Sequence, residues 1–186
     1  MLSLRSIVTG ALAMTAATAS AAATPQQIAD GLRSLTQKHQ ALQAPAQSIT
    51  ILNAPLIVIG QGPFPIIIAG YQDIVATGSA LISQFPGTPA ITGADADLVF
   101  NAFREHVRVS QATLNVLIGK AGLLTNVPVI GPPVATALRG YEGIIDTIAI
   151  TLIDLAEPRA ADLAAEANSL GATTDLAIQK YDGLSI

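Results

Sequence analysis

His39 and His106 are the only two histidines in this 186-residue chain, and with Tyr71 and Tyr141 they are its best-placed groups for polar chemistry. None of them sits in a catalytic or metal-binding pattern. Neither histidine belongs to an H-E-x-x-H spacing, so no metal site is expected. The chain has no cysteine nucleophile and no G-x-S-x-G elbow. Gly60-Gln61-Gly62 is a loop fragment too short to cradle a phosphate. Asp146 and Asp154 fall on one helix, and the helical rise puts them roughly 12 Å apart, far for an acid–base pair. No catalytic residue and no cofactor are expected, and the chain reads as a non-enzyme. A buried imidazole or phenol can still hold a head group, because each donates a hydrogen bond to a carboxylate or hydroxyl. Two readings stay open for these four residues. They are hydrogen-bonded core residues reaching a bundle end, or polar handles inside an apolar cavity.

The elements that carry them are helices. Thr24-Pro25-Gln26-Gln27 has a cap, a proline for the first helical position, and a glutamine three after the cap. Ile28, Leu32, Leu35, His39, Leu42, Ala46 and Ile49 then recur at helical spacing, with Pro45 expected to kink the helix. Residues 51–70 carry no charge, but Pro55, Gly60, Gly62, Pro63 and Pro65 argue against a membrane-spanning helix. They predict an apolar loop and then a helix starting near residues 63–66, with Ile67, Tyr71, Ile74, Gly78, Leu81 and Phe85 on one face. A third helix starts at Thr92-Gly93-Ala94-Asp95 and buries Val99, Phe103, His106, Ser110, Leu114, Leu117, Ala121 and Leu124. A fourth, after the proline and glycine stretch at residues 126–133, buries Val134, Leu138, Tyr141, Ile145, Ile148, Leu152 and Leu155. Glu157-Pro158 breaks the chain, and a fifth helix buries Leu163, Ala167, Leu170, Thr174, Ala177 and Tyr181. The fold class expected is all-α, an up-down bundle of about five helices. Small inward residues (Gly78, Ala102, Ser110, Thr113, Ala121, Thr174, Ala177) let such helices approach closely or leave an apolar tunnel between them.

Residues 1–23 read as a secretory leader, with Arg5 as the positive region, residues 7–17 as the apolar stretch and A-x-A choices near residues 17–23. Residues 24–186 then form one domain. Its loss of Arg5 takes the net charge from −4 to −5, with 8 basic against 13 acidic side chains. An acidic chain with no basic run is a poor partner for nucleic acid. No Asn-x-Ser/Thr site occurs, and the C-terminus has no hydrophobic tail of the kind that precedes a lipid anchor. An exported chain without cysteine must be held by its core alone.

Local runs such as Gly70-Tyr71-Gln72-Asp73-Ile74 and Ala177-Ile178-Gln179-Lys180-Tyr181, with the leader, the five-helix layout and the missing cysteine, resemble the fungal hydrophobic surface binding protein A family. That family includes the antigenic cell wall galactomannoproteins, and the resemblance extends over about residues 26–183. It implies a secreted or wall-associated helical protein that adsorbs to hydrophobic surfaces, and some related mannoproteins hold fatty acids between their helices. The chain departs from wall-attached members in lacking a Ser/Thr-rich tail, so covalent wall attachment is not expected. The leading expectation is a module binding a fatty acid or other lipid, a hydrophobic surface, or both. A structural or antigenic wall protein with a solid core, and a secreted effector binding a host protein, are the alternatives. The expected ligand cavity is touched by Tyr71, Phe103, His106, Leu117, Tyr141, Ile148 and Leu152. An up-down path also brings two uncharged connections, residues 52–66 and 123–134, to one end. There Ile57, Ile59, Phe64, Val127, Val129 and Ile130 are expected to form an apolar contact surface that gates lipid uptake or lands on apolar material.

Overall fold

The computed structural model describes residues 22–125 and 127–184. Most of the expected leader therefore lies outside the described residues. Ala23 at its end is 2% exposed, and its N–H donates to the Gln84 carbonyl.

The described residues form five α-helices: α1 Pro25–Gln47, α2 Pro63–Ile82, α3 Gly93–Ala121, α4 Gly131–Leu155 and α5 Ala160–Asp182. The first starts as its sequence dictates. The Thr24 hydroxyl accepts from the Gln27 N–H while the Gln27 side chain accepts from the Thr24 N–H, and Pro25 fills the first turn. Pro45 lies in the last turn of α1, and the helix runs on two residues beyond it. Short 3₁₀ turns fill the connections, among them Ala54–Ile59 and Pro128–Ile130. The first of these ends in a left-handed bend. Gly62, at φ 82°, has the Asn53 carbonyl 2.9 Å from where a Cβ would stand, so only glycine fits there.

Every helix turns one stripe inward. His39, Tyr71, His106, Tyr141 and Tyr181, one from each helix, are all buried. The packing partners define a closed ring in the order α1, α3, α5, α4, α2 and back to α1. The path alternates in direction, but ring order is not chain order. Segments α2 and α3, and likewise α3 and α4, are joined across an end of the bundle without packing side by side. Helix α2 is long and apolar enough to cross a membrane by composition. Here its Ile67, Tyr71, Ile74, Gly78 and Leu81 face is instead a wall of the core. Close approach to α4 depends on Gly78, where a Cβ would overlap the Ile144 Cγ2 methyl.

The turns Ala54–Ile59 and Pro128–Ile130 meet at one end, as alternation requires. At the other end the Ile91 N–H donates to the Leu155 carbonyl and Arg159 pairs with Asp97.

Candidate functional site: a buried histidine and tyrosine cluster

At mid-height the ring is filled by four polar aromatic side chains from four helices. His39 is the hub. Its ring centroid stands 5.5 Å from Tyr71, 5.2 Å from His106 and 4.7 Å from Tyr141, and Tyr71 stands 5.7 Å from Tyr141. All four are at most 1% exposed. Each reached this place because it replaces an aliphatic residue in a helical stripe (Leu35-x-x-x-His39, Ile67-x-x-x-Tyr71), and the ring closes the stripes on one another.

The hydrogen bonding is incomplete. His106 Nε2 lies 3.2 Å from the Tyr141 hydroxyl and 3.3 Å from the Ser110 hydroxyl, while its Nδ1 has no partner among the described residues. His39 Nδ1 reaches the Leu35 carbonyl at 3.4 Å, and its Nε2 has no partner among the described residues. The Tyr71 hydroxyl also has none among the described residues. Buried polar atoms are nearly always satisfied, and each orphan costs about 1–3 kcal/mol. With Nδ1–H donating to Leu35, His39 Nε2 is a bare acceptor, and the Tyr71 hydroxyl is a bare donor. A carboxylic acid complements both, donating its O–H to one and accepting at its carbonyl from the other.

Burial sets the charge state. It lowers the His39 pKa from 6.5 to about 4, opposed only by the Leu35 carbonyl. Burial also takes His106 well below its ordinary value, and repulsion from His39 adds to this. Tyr71 is raised by burial and by Tyr141 and Tyr181, and Tyr141 is raised by burial against its Ser110 hydrogen bond. The empty cluster is therefore neutral at pH 7. A consequence for stability follows. Between pH 6.5 and about 4 the unfolded chain protonates His39 while the folded chain does not. Stability present above pH 6.5 is thus lost as pH falls through this window, by about 3 kcal/mol for a shift of this size. Urea midpoints at pH 7 and pH 4.5 should show this loss in the parent and a smaller one in His39→Leu.

Of the seven residues expected around a cavity, the structure brings Tyr71, His106 and Tyr141 together. Phe103, Leu117, Ile148 and Leu152 are in the same core, fully buried, but spread along the bundle. Leu117 lies towards the apolar end, where its carbonyl accepts from the Tyr181 hydroxyl at 3.2 Å. Ile148 and Leu152 lie towards the opposite end. The two largest clefts described are open grooves on the outside, touching none of the seven. His39, the centre of the cluster, was open to reading as a polar handle from the sequence but is absent from the seven expected lining residues. Its position on a buried stripe was the available signal.

The apolar end is present with altered membership. Ile51, Leu52, Leu56, Val58, Ile59, Ile66, Leu123 and Val129 make up eight of the ten exposed large apolar side chains among the described residues. Ile59 and Val129 are exposed as expected, and Ile57 and Val127 are half-buried. Phe64 and Ile130 are instead fully buried. Phe64 sits in the first turn of α2 and Ile130 caps α4, so both point into the ring and close it from below.

A closed ring of five helices around a buried core is a fold shared with two solved lipid complexes. Ligand binding domain 1 of the Penicillium marneffei MP1 protein, complexed with arachidonic acids, superposes with a TM-score of 0.72 at 13% identity, over 85% of this chain and 99% of that one. The AFMP4P protein in complex with palmitic acid gives 0.65 at 17% identity with the same coverage of 85% and 99%. No family model and no curated protein sequence matches the chain. Identities this low establish the fold and nothing finer.

Proposed function

We propose that the protein is a secreted, non-enzymatic binder of fatty acids, holding the carboxyl group at the His39–Tyr71–His106–Tyr141 cluster and contacting hydrophobic surfaces through its apolar end. The observation that carries this reading is the set of unpartnered polar atoms at the centre of an otherwise apolar ring: His39 Nε2, the Tyr71 hydroxyl and His106 Nδ1. Two proteins of the same fold were solved with arachidonic and palmitic acids, which supports the ligand class. Export rests on the Arg5 leader, and cell wall association on the family resemblance. Ala23 packs into the core, which favours cleavage before it.

Burying a bare carboxylate beside neutral groups is costly, so the ligand binds with a proton, shared with His39 as acid or as carboxylate–imidazolium pair. Affinity should therefore fall as pH rises above neutrality. A second reading, a structural protein with a solid core, is favoured by the full burial of all seven expected lining residues. Native mass spectrometry of the leader-free chain titrated with palmitate separates the two. The proposal expects one retained ligand mass per chain. A chain that stays unliganded throughout the titration belongs to the second reading, its cluster satisfied by water.

A further inference from the structure

A ligand bound at the cluster has to pass between two helices, and the five seams of the ring differ in what ties them. Lys38 pairs with Asp73 across α1 and α2. The Thr113 hydroxyl donates to the His39 carbonyl across α1 and α3, at 3.2 Å. Gln111 donates to Ser169 and Thr173, and Arg104 faces Glu166, across α3 and α5. Arg139 pairs with Asp182 across α4 and α5. Among the described residues no hydrogen bond or ion pair spans α2 and α4, whose residues are all described. This seam is held by apolar contact alone.

It is also shaped like an opening. Gly78 and Ile144 press together in the half away from the apolar end. Towards that end the helices leave an uncharged groove of about 520 Å³, walled by Ile68, Gln72 and Val75 on one side and Pro133, Ala137 and Gly140 on the other. Small-molecule sites run from about 300 to 1,000 Å³. Gln72 and Gly140 are the chain neighbours of Tyr71 and Tyr141, whose rings face each other on the inner side of these same two helices. At the apolar end the groove reaches Pro132 and Pro133 in the first turn of α4. The other large groove, between α4 and α5, carries Asp146 and Asp175 and would repel a fatty acid carboxylate.

We infer that the α2–α4 seam is the door and outer seat of the acyl chain, which lies in the groove beside Val75 and Ala137 with its carboxyl end directed inward to Tyr71 and His39. This rests on the fatty-acid reading above. Because the contact is apolar, α2 and α4 can part beside the Gly78 pinch without breaking a polar bond between the two helices.

The chain contains neither tryptophan nor cysteine, so single reporters are unambiguous. Thr136→Trp places an indole on the exposed wall of the α2–α4 groove, and Ile150→Trp places one on the α4–α5 groove. Stearic acid brominated at mid-chain, a short-range quencher, should extinguish most of the emission of the first and leave the second unchanged. A second variant tests passage. A Cβ on Gly140 would stand 3.5 Å from Val75 Cγ2, close enough for Val75→Cys with Gly140→Cys to form a disulfide. Once oxidised, it should take up palmitate at least roughly tenfold more slowly, and reductant should restore the rate. If the parent binds fatty acid while Thr136→Trp is unquenched, or the disulfide form loads at the parental rate, the seam is excluded and the cluster stands. If the parent binds none, both fall. Should the disulfide variant not fold, the tryptophan pair decides alone.

Discussion

Replacing His39 with leucine is expected to raise the melting temperature and, in the same molecule, weaken palmitate binding at least roughly tenfold. The first effect comes from the empty state. His39 Nε2 is buried without a partner, and removing such an atom while keeping the volume should recover about 1 kcal/mol or more. For a chain of this length that is a rise of about 2–4 °C. The helix loses only a 3.4 Å contact to the Leu35 carbonyl, and the His39 backbone carbonyl still accepts from Thr113. The second effect comes from the bound state, where a charge-assisted hydrogen bond of about 1.5–3 kcal/mol disappears. At about 1.4 kcal/mol per factor of ten, that is at least a tenfold loss. A purely structural histidine predicts neither. Thermal melts and palmitate titrations of parent and variant decide, and a lower melting point with unchanged affinity would remove His39 from the site.

Substituting Leu52→Ser, Val58→Asp, Ile59→Asp and Val129→Ser together is expected to abolish adsorption to a hydrophobic polymer with the helical circular dichroism intact. These side chains are 90%, 71%, 65% and 52% exposed, so they contribute little to the core and have much surface left to bury on contact. Full burial of one such side chain gives about 1.5–3 kcal/mol. Losing a good part of that at four places should lower adsorption by more than about a hundredfold. Neither connection carries a formal charge, because no Asp, Glu, Lys or Arg occurs between Lys38 and Asp73 or between Lys120 and Arg139. Phe64 and Ile130 are poor choices for the same test, because their burial makes substitution a folding defect. Depletion from solution over polystyrene beads gives the readout. Parental adsorption by the folded variant would mean that this end only closes the core.

The helices were legible because each pays out its apolar residues at a 3.6-residue period, from Ile28 to Ala46 and from Val99 to Leu124, with caps such as Thr24 at their starts. The meeting of the two uncharged connections was legible from alternation alone. Ring order was not, because a stripe says which face is buried and nothing about which helix covers it. For that reason Tyr71, His106 and Tyr141 could be named as inward-facing, while the centrality of His39 had to wait for the closed ring. The same gap hid the untied seam, since Lys38–Asp73 and Arg139–Asp182 are pairs of distant residues. Phe64 and Ile130 misled because an apolar residue in an apolar stretch carries no periodic signal. Their inward direction comes from being the first turn of α2 and the cap of α4.

A neutral, buried histidine and tyrosine cluster should accept a carboxyl group only together with a proton. Isothermal titration of palmitate at a pH above neutrality, repeated in buffers of different ionisation enthalpy, counts that proton directly. Palmitate is ionised in solution there, and His39 and His106 are neutral in the empty protein. Uptake is expected to approach one proton per ligand and to fall in His39→Leu. Binding with no proton uptake, or uptake unchanged by the substitution, would contradict it.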